Sequence, residues 1–351
     1  MIAMPADSAA DTMIDGSLAR IRARAAPLGP GFAALGDAIS RAARGGKRFR
    51  PALVTASFEA FRTEEGDSAA ASSVAAAFEL LHTAFVIHDD VIDHDTIRRG
   101  VPNVAGEFRQ RGRSTGADAT GAALLGDAAA ILAGDLLLHE AFRLVAMADT
   151  DEARRERLFA LLDDAVFVSA AGELADVENS VAADCAPREQ IFEAAFNKTA
   201  VYSFRAPLQA GAVLADASPA ALHVLGHAGG GLGLAFQLTD DLIGTFGTAG
   251  QAGRDGGGDL REAKRTPLVA LAQDSGAAVR VDEALAHAHT GSVAVQRART
   301  ALEESGARTR LREIITETLD DVRRSSDDTA LTPAAAVLLR TLADGIEARI
   351  P

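Results

Sequence analysis

SSVAAAFELLHTAFVIHDDVID, residues Ser72 to Asp93, decides the fold class of this chain. Val74, Phe78, Leu81, Phe85, His88 and Ile92 recur three and four apart, the spacing that gathers side chains on one face of an α-helix. Ser72-Ser73 stand where a helix cap belongs, so the spacing predicts a helix that opens there and runs past Asp89. Near its end Asp89 and Asp93 are four apart. They share a face about 6 Å apart along the axis, while Asp90 is turned away by roughly 100°. Like charges at this spacing cost a few tenths of a kcal/mol, so the pair makes sense around a cation. Oxygen donors indicate Mg²⁺ or Mn²⁺ in preference to zinc, and Mg²⁺ held by few carboxylates keeps positions for water and phosphate oxygens. A solvated acidic face is the other reading of DDxxD. Val86, Ile87, Val91 and Ile92 argue against it, because a helix apolar on most sides is packed.

A second stretch echoes the first without gaps: FVIHDDVID (Phe85–Asp93) against FQLTDDLIG (Phe236–Gly244), each with Phe four residues before an Asp pair. Ser218-Pro219 is a cap followed by proline at the first helical position, which opens the helix leading to it. Gly229, Gly230, Gly231 and Gly233 lie inside that helix and predict close packing or a local break. Their spacing fits no phosphate-cradling loop.

Around these two helices the composition is equally one-sided. The chain has 351 residues, 48% of them hydrophobic, which excludes a disordered chain. One Tyr, no Trp and abundant Ala are poor material for β-sheets and good material for close-packed helices. A net charge of −14 argues against nucleic acid as a partner. A single cysteine, Cys185, excludes an intramolecular disulfide and makes a reducing cytoplasm the default. The first residues lack the layout of a secretory signal, and no uncharged apolar run reaches the ~18 residues of a membrane span. Thr63–Ala70, Gly100–Gly121 and Gly244–Pro267 read as loops. No composition shift marks a domain boundary.

Cations suited to a diphosphate are gathered near the acidic motifs. Arg98-Arg99 follow the first, and guanidinium forks match phosphate oxygens. Gly45-Gly46-Lys47-Arg48-Phe49-Arg50-Pro51 sets three cations between a turn and a proline. Lys198-Thr199 and the segment from Arg254 to Lys264 add more. His82 lies two turns below Asp89 on nearly the same face, where a core position and a diphosphate or metal neighbour are both open. His88-Asp89 also raises an HD-type phosphohydrolase, but that site needs a further upstream histidine and none precedes His82.

These residues resemble the trans-isoprenyl diphosphate synthases, or polyprenyl synthetases. The blocks follow in order from Gly45 to Pro267: GGKRFRP, ELLHTAFVIHDDVIDHDTIRRGVPN, GDLLL, GELADV, KTAVYSF, FQLTDDLIG and GRDGGGDLREAKRTPL. The resemblance implies an all-α fold of the isoprenoid synthase type I kind, a single large helical bundle with two facing Asp-rich helices over an apolar pocket. It implies one domain over residues 1–351, with the motif-bearing core at about 40–270 and further helices over 271–351. It implies a homodimer and about three Mg²⁺ ions, with Mn²⁺ an alternative. The reaction is condensation of isopentenyl diphosphate with an allylic diphosphate (dimethylallyl, geranyl or farnesyl).

By the same resemblance Asp89, Asp93 and Asp240 hold the metals, with Asp241 at the substrate. Arg98, Lys198, Lys264 and Arg254 take the allylic diphosphate. Lys47, Arg50, His82 and Arg99 take isopentenyl diphosphate, and Thr199 and Gln237 stabilise the cation. Ala84 and Phe85 set product length, and one small and one aromatic residue point to C20 (geranylgeranyl) over C15 (farnesyl). Two departures stand out. Gly244 replaces the last Asp of the second motif, and Glu173 stands where Gln is common. A longer-chain synthase and a non-catalytic modulating subunit stay open. A class I terpene cyclase would lack GGKRFRP and Arg99.

Overall fold

The computed structural model describes residues 8–62, 68–248, 257–262 and 264–351. Arg254 and most of the 63–70 loop lie outside them. The regular secondary structure of the described residues is helical apart from one two-stranded hairpin, in line with the composition. They form two compact units. One runs to Ala160 and takes in Val213–Ala215; the other holds Leu161–Ala212 and Asp216–Pro351.

In the first unit, α1 (Ser8–Ala25), α2 (Pro30–Ala42), α3 (Phe49–Phe61) and α4 (Ser68–Ile92) are followed by strands β1 (Ile97–Arg98) and β2 (Val101–Pro102). Helices α5 (Val104–Ser114) and α6 (Ala119–Ala146) complete it. Helix α4 is its axis, packed by α1, α3 and α6. Val74, Ala75, Ala76, Ala77, Leu80 and Leu81 of α4 are wholly buried. The helix begins four residues earlier than the sequence indicates. Ser72 and Ser73 are buried inside it, and Ser72 Oγ donates back to Ser68 O (3.1 Å), so neither serine caps it. Half of the expected loop at 100–121 is α5. Asn103 caps it by accepting from Gly106 N (2.9 Å) and Asp118 caps α6 in the same way (2.7 Å), so polar residues taken for loop material are helix starts. Helices α4 and α6 each have the length and hydropathy to cross a bilayer. For α4, 78% of that apolar window is buried within the molecule, against 39% for α6.

The second unit begins within α7 (Glu152–Val181) and continues through α8 (Arg188–Ala195), a π-helix (Phe196–Arg205) and α9 (Ala206–Leu214). Then come α10 (Pro219–Phe246), α11 (Gly258–Arg261), α12 (Pro267–Gln273), α13 (Ala278–His287), α14 (Ser292–Glu304), α15 (Ala307–Ser325) and α16 (Pro333–Glu347). Ser218 caps α10 as expected, accepting from Ala221 N (3.1 Å). The glycines at 229–233 do not interrupt the helix. A β-carbon at Gly233 would stand 2.7 Å from Ala200 Cβ, so the glycine lets α10 and the π-helix cross backbone against backbone.

Candidate active site

The first unit holds a cationic cavity of about 580 Å³, lined by Lys47, Arg50, His82, Arg98 and Arg99 with the Gly45-Gly46 turn. The sequence separates these groups widely, and local geometry brings them together. Gly45 and Gly46 turn at φ +74 and +90, and a β-carbon on Gly46 would meet the Arg99 guanidinium at 3.8 Å. Arg48 sits in the left-handed region (φ 48) just before α3. Its Nε donates to Asp11 Oδ1 (2.8 Å), and its Nη1 to Glu79 Oε1 (2.9 Å) and Ala43 O (3.1 Å). Of the three cations in GGKRFRP, Arg48 is therefore a clamp for the loop. Burial lowers the pKa of His82, and Arg50, Arg98 and Arg99 push the same way, so its imidazole is neutral.

Asp89 closes the last turn of α4, and Asp93 follows the helix end with its N–H still donating to Asp89 O (2.8 Å). Both carboxylates stay accessible. Asp90 is buried, and this role was missed in the sequence. It accepts from Arg98 Nε (2.8 Å) and pairs with Nη2 (2.5 Å), while Arg98 Nη2 lies 3.7 Å from Asp89 Oδ2. Burial raises the Asp90 pKa, against the pull of Arg98. The hairpin supplies the reach. Arg98 pairs with Val101, and the two residues between them, Arg99 (φ 53) and Gly100 (φ 79), have the positive φ of a type I′ turn. His88 turns to α6 instead, 3.3 Å from Ile131 O and 3.5 Å from Asp135, and its ring fills the space a β-carbon at Gly134 would need. It does not join Asp89 at a common centre, which removes the HD-type reading.

The second unit holds a cavity of about 450 Å³, lined by Lys198, Gln237, Asp240, Asp241 and Lys264 with Asp176, Asp259 and Arg349. The π-helix presents Lys198 and Thr199. Such wide turns recur at functional sites. Lys198 Nζ is held by Glu173 (3.0 Å) and Asp176 (2.9 Å), which gives Glu173 a definite task. A β-carbon at Gly172 would strike the Lys198 backbone nitrogen, so glycine is needed there. Thr199 Oγ1 donates to Gln237 Oε1 (2.8 Å), and Gln237 Nε2 to Asp241 Oδ1 (2.9 Å). Asp240 is 41% exposed and paired with Arg349, whose guanidinium carbon lies 4.4 Å from the Phe236 ring centroid. Nothing in the sequence pattern connects residue 349 to this site. Burial holds the Asp241 pKa well above the usual carboxylate range, with the charge of Asp259 the next cause.

Asp241 Oδ2 is buried and has no hydrogen-bond partner among the described residues. That orphaned oxygen, beside the accessible carboxylate of Asp240, fits a hard divalent cation. Among the described residues no three Asp, Glu, His or Cys side chains converge to cage a metal on their own.

The sequence profile of the family described as Polyprenyl synthetase matches residues 33–304. A short chain isoprenyl diphosphate synthase of Methanothermobacter thermautotrophicus is 35% identical over 228 residues, 65% of this chain and 63% of that protein. A farnesyl diphosphate synthase of Bacillus subtilis is 32% identical over 228 residues, covering 63% of this chain and 70% of that protein. The alignment with the first of these thus spans less than two thirds of its length. Among solved structures, a geranylgeranyl pyrophosphate synthase of Corynebacterium glutamicum, complexed with isoprenyl diphosphate and magnesium, superposes with a TM-score of 0.86 at 26% identity. That match covers 99% of this chain and 100% of the other.

Proposed function

The chain belongs to the polyprenyl synthetase family, and from that premise we propose that it is a magnesium-dependent trans-prenyltransferase, one polyprenyl synthetase domain over 1–351. It condenses isopentenyl diphosphate with an allylic diphosphate to a short-chain prenyl diphosphate. The allylic C–O bond breaks, the double bond of isopentenyl diphosphate forms the new C–C bond, and a proton passes to the departing diphosphate. When bound, Mg²⁺ would be held by Asp89 and Asp93 in the first unit and by Asp240 in the second, and would supply positive charge to offset what grows on the leaving oxygens.

The chain's own residues do the rest. Lys47, Arg50, His82 and Arg99 receive the isopentenyl diphosphate in the cationic cavity, where a neutral His82 donates from one ring nitrogen only. Asp90 holds the Arg98 fork in one orientation, so its other N–H groups are aimed before substrate arrives. Lys198, kept in place by Glu173 and Asp176, and Lys264 bind the allylic diphosphate; Arg254, outside the described residues, is proposed to join them. The chain Thr199–Gln237–Asp241 fixes two oxygen dipoles, and Thr199 Oγ1 keeps lone pairs to face an allylic cation. The gathering of the spaced cations of the motifs around one cavity is the observation that carries this reading.

The finer product assignment is C20. Ala84 is fully buried on α4, and Phe85 beside it is half-buried with an aromatic ring to block a growing chain. A homodimer is supported by α6, which exposes Leu124 (71%), Ile131 (46%) and Leu132 (51%) on one stripe, apolar area of the kind a partner covers. A reducing cytoplasm suits the free thiol of Cys185.

The test uses the purified protein alone with labelled isopentenyl diphosphate, each allylic primer and Mg²⁺, with products identified by mass spectrometry. Turnover without a second subunit, its loss in EDTA, and a fall in kcat of about 10²–10³ in Asp240→Asn are expected. Undiminished turnover in Asp240→Asn or in EDTA would overturn the proposal.

A further inference from the structure

Two stretches of this chain align without gaps, and where the first has Asp93 the second has Gly244. The place is not vacant in space. A β-carbon at Gly244 would collide with Asp259 Oδ2 and stand 3.3 Å from its Cγ. Fifteen residues downstream, a different element thus puts a carboxylate where the side chain of residue 244 would begin. The placement is anchored from both sides. Gly257 N donates to Gly244 O (2.9 Å), which ties the start of α11 to the end of α10, and Lys264 N donates to Asp259 O (2.9 Å). Gly257 has φ +88, and a β-carbon there would meet Val295 Cγ1 at 2.6 Å, so the segment has little freedom to shift.

An acidic cluster alone would not make a site. Here Asp241, only 7% exposed, lines the same cavity as Asp259 and Asp240 and leaves Oδ2 buried with no partner among the described residues. A buried carboxylate oxygen without a donor is costly unless a cation or a cation-bound water completes it. We propose that Asp259 supplies the carboxylate that position 244 lacks, supporting with Asp241 the divalent ion and diphosphate held at Asp240. The inference rests on the prenyltransferase reading above and deepens it: the second acidic motif is completed by a residue of α11.

The test relocates the carboxylate. Mg²⁺-dependent binding of inorganic pyrophosphate is measured by calorimetry for the whole parent protein, Asp259→Gly, Asp259→Asn, Asp240→Asn and the exchange Gly244→Asp/Asp259→Gly. We expect Asp259→Gly and Asp259→Asn each to weaken binding about ten- to a hundredfold, and the exchange to recover most of that loss. Binding in the isosteric Asp259→Asn as tight as in the parent would overturn the inference, whatever the fold of the glycine variant. An exchange variant no tighter than a folded Asp259→Gly would also overturn it. A parent that binds no Mg²⁺-pyrophosphate, or an Asp240→Asn that binds it unchanged, would instead remove the prenyltransferase reading, and the inference with it.

Discussion

Asp90 follows Asp89 by one helical step, and that step sends it into the protein, where it grips Arg98. The helical period made Asp89 and Asp93 legible as a pair. It could not show that a hairpin at 97–102 folds back to bring Arg98 to the third carboxylate, because that depends on a turn at Arg99-Gly100 and its tertiary docking. Phe85 is a residue whose role is read from position, and Phe85→Ala is expected to lengthen the main product by about one five-carbon unit or more, seen by mass spectrometry. Unchanged product length would remove it from that role. His82 carries a pH signature. Its folded pKa is lowered, by burial first and by Arg50, Arg98 and Arg99 next, so the unfolded chain takes up a proton that the fold resists. The stability it contributes is present above about pH 6.5 and is lost as pH falls from there through the folded value. His82→Gln should therefore flatten the acid-side decline of Tm, by no more than the roughly 1.4 kcal/mol per pH unit of one proton. An unchanged slope between pH 7 and pH 5 would refute this.

At the scale of elements, close backbone crossings set the second cavity. Helix α10 meets the π-helix at Gly233 against Ala200, with the Phe204 and Phe236 rings 5.3 Å apart nearby. Gly233→Ala should cost about 1–3 kcal/mol by overpacking. Gly16→Ala on α1, with nothing within 4 Å of the added carbon, should gain about 0.5–1 kcal/mol. Urea unfolding of both variants separates packing from propensity, and a neutral Gly233→Ala would contradict the crossing. The glycines of α10 were read in the sequence as packing or a break, and the structure decides for packing: neighbouring backbone occupies the Cβ positions of Gly229 and Gly233, and the side chains of Phe196 and Val322 crowd those of Gly230 and Gly231. The π-helix itself had no such signal. KTAVYSF carries helical periodicity, and one extra residue per turn leaves no mark in composition. Helix α5 was misread because its Gly, Arg and Ser content resembles a loop, while its cap Asn103 is a single residue.

For the whole molecule, the exposed α6 stripe has the clearest consequence for assembly. Leu124→Asp with Ile131→Asp should convert a dimeric parent to a monomer in sedimentation, with helical content unchanged. A variant sedimenting like the parent would free α6 of that role. The motif blocks announce the family between residues 45 and 267, yet groups beyond them hold the parts in place. Asp11 and Arg20 of α1 grip Arg48 and the fully buried Glu140, and Arg349, just past α16, grips Asp240. Someone trimming an expression vector to residues 40–270 would keep every recognisable signature. The truncated product would have lost the counter-ions that steady the glycine turn, the α6 glutamate and the second acidic pair, and an inactive preparation would say nothing about the whole chain.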